Sequence, residues 1–325
     1  MGQAAHGTKA EASLCGIDFQ SRRVACLGEC MVELRTRPDG LLERGFGGDT
    51  LNTAVYLARL GTAVDYVTAL GDDDLSAGML SAWADEGIGT GLVPRLPGRV
   101  PGLYLIETDA RGERRFLYWR DQAPVRQLFD LAETPAIEAA LVGFGVLYLS
   151  GITLSLFQDE ARERLLAMLT KCRAQGCRVV FDTNFRPRGW PDPGEARRVY
   201  ARMLALSDIV LAGVEDYALL DGEASPDSTI ARLVGAGVGE AVIKLPKPGC
   251  LVMTGGMVTS VPVETIEVAV DTTAAGDSFA AAYLAARLRG EPPEAAAYAG
   301  HRLAGIVIQY PGAIIPRTAM AVAGI

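Results

Sequence analysis

Short apolar runs and longer amphipathic stretches alternate along this chain. Val24–Gly28, Ala63–Leu70, Val146–Leu149, Arg178–Asp182, Asp208–Leu211 and Ala241–Leu245 are rich in β-branched residues, and their apolar positions are continuous rather than alternating. Continuous runs mark strands covered by helices on both faces, because neither side of the pleat meets water. Between them Thr50–Leu60, Leu75–Glu86, Phe157–Gln175, Gly194–Leu206 and Thr229–Val234 place apolar residues at i, i+3 and i+4, the spacing of one helix face. The pattern predicts an α/β fold, a doubly wound and mostly parallel sheet flanked by helices. The longest uncharged run, Ala139–Gln158, is interrupted by Gly143, Gly145, Ser150 and Gly151. It reads as a buried strand and a loop, not a membrane span.

Two stretches depart from this rhythm. Gly102–Glu107 and Arg114–Trp119 flank the polar connection Thr108–Glu113 and read as a hairpin with no helix after it. With Leu34–Phe46 as their partner they form a small β lobe beside the main sheet. The expected organisation is a tail over 1–22 and a single domain over 23–325, with a β lid drawn from about 34–46 and 100–121. Proline at Pro187, Pro191 and Pro193 is read as excluding a helix from that segment.

Composition narrows the class. The 325 residues are 49% hydrophobic and 22% charged, which excludes disorder for most of the chain. A net charge of −8 provides no general attraction to nucleic acid or anionic lipid, so a charged substrate must meet a local basic site. Six scattered cysteines, without metal-finger spacing, read as buried small hydrophobes. Met1–Arg23 lacks the apolar core of a secretory signal. Small-molecule partners, no nucleic acid, no membrane, a cytoplasmic setting and a homo-oligomeric assembly are expected.

Chemistry concentrates at Asp271-Thr272-Thr273-Ala274-Ala275-Gly276-Asp277. A β-branched run, Thr265–Val270, leads into it and an Ala-rich helical pattern leaves it. The turn is almost free of side chains, so the amides of Ala274, Ala275 and Gly276 point unsatisfied from a helix N-terminus, a ready anion site. Asp277 alone is an ordinary dipole partner for the first helical turn. Beside an anion hole, however, a carboxylate can accept a hydroxyl proton while the hole stabilises a transferring phosphoryl group.

Further segments are ambiguous by themselves. Phe46-Gly47-Gly48-Asp49-Thr50-Leu51-Asn52 is a tight turn in which Asp49 or Thr50 can cap the helix that follows. Phe181-Asp182-Thr183-Asn184-Phe185-Arg186 follows a buried strand, at the sheet's carboxyl edge where α/β ligands bind. In the hairpin that holds Tyr104, Tyr118 and Arg120 are spaced to share one face of a strand. Lys244-Leu245-Pro246-Lys247-Pro248-Gly249 is a β-turn between two strands. The glycine-rich stretch Gly235–Gly239 precedes a strand, so a dinucleotide fingerprint is absent, as is a Walker lysine motif.

Together these segments resemble the ribokinase-like (PfkB) carbohydrate kinases from about Val24 to Pro316, and Asp-Thr-Thr-Ala-Ala-Gly-Asp-Ser-Phe resembles the family's C-terminal signature. The resemblance implies ATP and Mg2+, with Asp277 as catalytic base and the amides of Ala274, Ala275 and Gly276 as anion hole. It implies sugar contacts at Gly48, Asp49, Asn52, Tyr104, Tyr118, Arg120 and Arg186. Lys244, Pro246, Gly249, Ala275, Gly276 and His301 would border the nucleotide, and Glu215 or Asp216 would hold the metal through water. Ala274 stands where most members carry Gly, which implies an altered backbone path there and is similar to the branch that phosphorylates 2-keto-3-deoxygluconate. Two arginines suit a sugar acid, since a guanidinium matches a carboxylate and a neutral sugar does not require it. Other sugar kinases, a catalytically silent sugar-binding regulator and a dehydrogenase remain the alternatives at this point.

Overall fold

The computed structural model describes residues 19–37, 39–108, 114–263 and 269–322. The expected tail as far as residue 18, the hairpin connection at 109–113 and most of the run Thr265–Val270 lie outside the described residues. In chain order the first part comprises β1 (Val24–Leu27), β2 (Met31–Thr36), β3 (Leu42–Gly47), α1 (Asp49–Arg59), β4 (Val64–Val67), β5 (Leu70–Gly71), α2 (Asp74–Asp85), β6 (Arg95–Leu96), β7 (Leu103–Thr108) and β8 (Arg114–Trp119). The middle continues with α3 (Thr134–Leu141), β9 (Val146–Ser150), α4 (Gly151–Leu156), α5 (Asp159–Ala174), β10 (Arg178–Asp182), α6 (Pro193–Leu206), β11 (Ile209–Gly213), α7 (Val214–Asp221) and α8 (Pro226–Gly235). The last part holds β12 (Glu240–Lys244), β13 (Cys250–Thr254), β14 (Met257–Val261), α9 (Ala275–Leu288), α10 (Pro293–Val307) and α11 (Arg317–Val322).

Eight strands form the main sheet in the order β14-β13-β12-β11-β10-β9-β1-β4, parallel from β12 to β4 and antiparallel at the β12–β13–β14 end. The continuous apolar runs have the expected cause. In β1, β9 and β11 every residue is buried, one face packing on α5, α6 and their neighbours and the other on α1, α9 and α10. The second sheet, β3-β2-β7-β8, is built from the two segments expected to form the small β lobe. Among the described residues no helix is long and apolar enough to cross a membrane, and the five described cysteines are free and buried.

Three local expectations are corrected. The segment after β9 is not a loop but α4, because Ser150 accepts from the Thr153 amide in a capping box and starts a helical turn. Pro193 does not exclude a helix; it occupies the first turn of α6, where a missing N–H costs nothing, and Asp192 caps the same end. Pro187–Gly189 forms one 3-10 turn. The run Ala63–Leu70 divides into β4 and β5.

A charged cluster fixes α9 to the sheet. Glu240 on β12 accepts from Tyr283 Oη at 2.7 Å, Arg287 Nε at 2.9 Å and Arg287 Nη2 at 2.8 Å, and both charged side chains are almost wholly buried. Such a pair is stable only while complete, since either partner alone is a desolvated charge. Arg287→Ala should therefore lower urea-unfolding stability by about 3–5 kcal/mol, and Glu240→Leu combined with Arg287→Met should cost much less. Equal losses in the two variants would show that packing, not charge pairing, holds the helix.

Candidate active site

The carboxyl ends of β1, β10, β11 and β12, the N-terminus of α9 and the underside of the lid enclose a cleft of about 580 Å³. Gly48, Asp49, Asn52, Tyr104, Tyr118, Arg120, Arg186 and Asp277 all line it, as do Lys244, Ala274, Ala275, Gly276, Glu215 and Asp216. Pro246, Gly249 and His301 are not among its lining residues. His301 instead stacks edge-on against Phe279, with ring centroids 5.0 Å apart.

Asp277 is the third residue of α9 and sits where α9 crosses α1. Asn52 Nδ2 donates to Asp277 Oδ2 at 2.8 Å, and Thr53 Oγ1 donates to the Asp277 carbonyl at 3.2 Å. Burial pushes the Asp277 carboxyl up to about 8, aided by the Asp49 charge and opposed by the Asn52 hydrogen bond. Asp49 does not cap α1. The cap position is Gly48, without a side-chain cap bond, and Asp49 lies in the first turn, where Asn184 Nδ2 donates to it at 2.7 Å. Gly48 has an extended backbone that any residue can adopt; glycine is needed because a β-carbon would strike the Glu29 carbonyl.

Beside Asp277, at the same helix terminus, lie the amides expected to form the anion site. The amides of Ala274 and Gly276 have no backbone acceptor among the described residues, whereas Ala275 N–H contacts the Thr272 carbonyl at 3.2 Å, so two of the three expected amides are open. Ala274 adopts φ 59°, ψ 15°. The expected altered path is thus corrected: alanine takes the left-handed conformation that glycine would occupy freely, at a cost of about 1–2 kcal/mol. Lys244 Nζ lies 3.9 Å from where a Gly276 β-carbon would be and donates to Asp182 Oδ1 at 2.8 Å. Burial opposes the Lys244 charge, but Asp182 and Asp216 outweigh it and raise its pKa, so the lysine is a cation beside the amides.

Residues 21–320 match the family described as pfkB family carbohydrate kinase. The chain belongs to the PfkB carbohydrate kinases. It is 47% identical over 307 residues to the 2-dehydro-3-deoxygluconokinase of Escherichia coli strain K12, covering 92% of this chain and 99% of that one. Its fold matches the 2-dehydro-3-deoxygluconokinase of Thermotoga maritima with TM-score 0.80 and 22% identity over 94% of this chain and 100% of that one. It also matches a fructokinase with bound ATP from Xylella fastidiosa, with TM-score 0.77 and 22% identity over 92% and 94% of the two chains.

Within this PfkB kinase, the sequence reading left some partners unassigned. Glu29, almost wholly buried, ion-pairs with Arg120, so the charge of that arginine is already engaged. Arg186 is 58% exposed, pairs loosely with Asp216 at 3.6 Å and donates from Nη1 to the Phe185 carbonyl at 2.9 Å, and its side chain lines the cleft. Tyr104 Oη donates to Glu33. Asp216 accepts from Thr183 Oγ1 at 2.6 Å, while Glu215 is exposed at the rim. The available signal for Glu29 and Asp182 was their place directly beyond or at the carboxyl end of a buried strand.

Two measurements follow. Ala274→Gly should raise unfolding stability by roughly 0.5–1 kcal/mol in urea, the left-handed strain exceeding the added chain entropy; a loss would contradict the strain. Asp277 holds a proton in the folded state between its ordinary value of 3.8 and about 8, so its stabilising contribution is complete below that window and is lost as pH rises through it. Asp277→Asn should accordingly melt above the parent at pH 8, with the difference shrinking towards pH 5.

Proposed function

We propose that this kinase transfers the γ-phosphoryl group of ATP to the 6-hydroxyl of 2-keto-3-deoxygluconate (2-dehydro-3-deoxygluconate). The observation that carries the phosphoryl-transfer step is the pairing of the half-buried, cleft-lining Asp277 carboxylate with the open Ala274 and Gly276 amides and Lys244 at one helix terminus. The sugar assignment draws on the 2-dehydro-3-deoxygluconokinase relatives and on the guanidinium of Arg186, which lines the cleft, is more than half exposed and pairs with Asp216 only loosely, at 3.6 Å.

In this reading Asn52 fixes the Asp277 carboxylate in one orientation and Asp277 takes the proton from the attacking hydroxyl. The raised pKa makes it a stronger base than an ordinary aspartate. Asp49 and Gly48 flank the hydroxyl end of the sugar, and Arg186 with Tyr118 faces its carboxylate end. Charge accumulating on the transferred group is met by the amides of Ala274 and Gly276 and by Lys244, all fixed before the reaction. The lid excludes water, which would otherwise compete as acceptor.

ATP arrives with Mg2+, and the donor set at the rim suits the ion. Glu215 is exposed, has no hydrogen-bond partner among the described residues and lines the cleft, so it would hold the ion through water; Asp216 is engaged by Thr183. The metal supplies charge neutralisation on the phosphates. No group of three or more metal-binding side chains occurs among the described residues, which fits an ion carried mainly by the nucleotide.

Coupled ADP release over a panel of sugar acids and neutral sugars tests the substrate. Preference for a neutral sugar would overturn the assignment to an acid. Asp277→Asn should lower kcat by about 10²–10⁴-fold with both KM values within a few-fold. Because only the deprotonated carboxylate is a base, kcat/KM should rise with pH along an acid limb, and Asp49→Asn should move that limb to lower pH by removing the neighbouring charge. A limb unmoved by Asp49→Asn would detach it from this pair.

A further inference from the structure

Four chain crossings between the lid and the core converge on one residue. Glu29 lies two residues before β2. A β-carbon on Gly48, which follows β3, would strike its carbonyl oxygen. At Gly102, which precedes β7, a β-carbon would lie 2.9 Å from Glu29 Oε1 and 3.2 Å from Arg120 Cβ. Arg120, which follows β8, is the ion-pair partner of Glu29. Gly48 and Gly102 thus both lack the side chain that would displace Glu29. Arg126 closes the arrangement, donating from Nε to the Arg120 carbonyl at 3.2 Å and from Nη1 to the Leu156 carbonyl at 3.3 Å.

We propose that Glu29 is a positioning residue for the sugar, holding the Arg120 guanidinium against the cleft wall and tying the lid hinge to the floor of the site. A carboxylate with about 3% of its surface exposed carries a heavy desolvation cost, which an adjacent guanidinium offsets. The guanidinium has five N–H donors, more than one carboxylate can occupy, so Arg120 can stay on Glu29 and still present donors to a ligand. Arg120 is 21% exposed and lines the cleft, as this requires. Glu29 also removes most of the net charge from that wall. Arg186, more exposed and only loosely paired, is then the cation that selects a negative ligand, and Arg120 contributes direction more than attraction.

The role rests on the sugar-acid reading only for the choice of ligand. Full-length parent, Glu29→Gln, Arg120→Met and the double variant would be titrated with 2-keto-3-deoxygluconate in the absence of ATP. The readout is the fluorescence of Trp119, which adjoins Arg120 and is 59% exposed, whereas Trp83 and Trp190 are buried. ADP release would be measured in parallel.

Glu29→Gln is expected to raise Kd and KM for the sugar about tenfold, with kcat and KM for ATP within about threefold. In the Arg120→Met background it should add less than about twofold, because a residue acting through another has no separate effect once that one is gone. Glu29→Gln should also recover part of the thermal stability lost in Arg120→Met, where the carboxylate is left buried and unpaired. An unchanged sugar Kd in Glu29→Gln, or effects that multiply independently in the double variant, would overturn the proposal. If the parent itself fails to bind the sugar acid, the substrate reading falls instead. The same cycle is then read with whichever sugar of the panel the enzyme turns over, and the same outcomes decide it.

Discussion

A half-buried carboxylate facing the cleft at the crossing of α1 and α9 is the constraint around which the rest of this molecule is arranged. Asp277 is hydrogen-bonded by Asn52 and has the Asp49 charge nearby, and burial holds its pKa near 8. That state is unfavourable for the fold, because the charged form needed for chemistry is the form that burial penalises. The surrounding structure has to supply the difference. Thr53 fastens the Asp277 carbonyl to α1, and the Glu240–Arg287–Tyr283 cluster fixes α9 to β12 further along the helix. The same strand delivers Lys244 to the helix terminus, so base, cation and amides are brought into one frame by one packing arrangement.

Above this floor, the lid is joined to the core at a narrow place. Its strands enter and leave around Glu29, which explains two glycines whose backbone angles need no glycine: at Gly48 and Gly102 the requirement is close approach to this residue. The cleft therefore has two kinds of arginine. Arg120 is engaged by Glu29 and held in place, while Arg186 is exposed and pairs with Asp216 only at 3.6 Å. A count of positive residues treats the two alike; their surroundings do not.

How much of this was legible along the chain depends on the range of the interaction involved. Continuous apolar runs announced strands covered on both faces, and the hairpin without a following helix announced the lid, because both are consequences of local periodicity. The turn before α9 announced an anion site for a similar reason: small residues before an amphipathic helix leave amides open whatever lies elsewhere. Expectations failed where a local preference was overruled. Ala274 enters the left-handed region despite its β-carbon, Pro193 starts a helix, and Ser150 caps one in a segment with too many glycines to look helical.

The sequence by itself determined the layered α/β architecture, the lid, the family to which the chain belongs, and most of the side chains that meet in the cleft. Each of these follows from spacing along the chain or from motifs a few residues long. Only the tertiary structure decided that Glu29 takes up Arg120, that Asp182 holds Lys244, that Asp49 raises the affinity of Asp277 for its proton, and that Arg186 is the more exposed and loosely paired of the two arginines. These pairings join residues far apart in sequence, and a charge's role is set by burial and by its neighbours within a few ångströms, neither of which is written in any single segment.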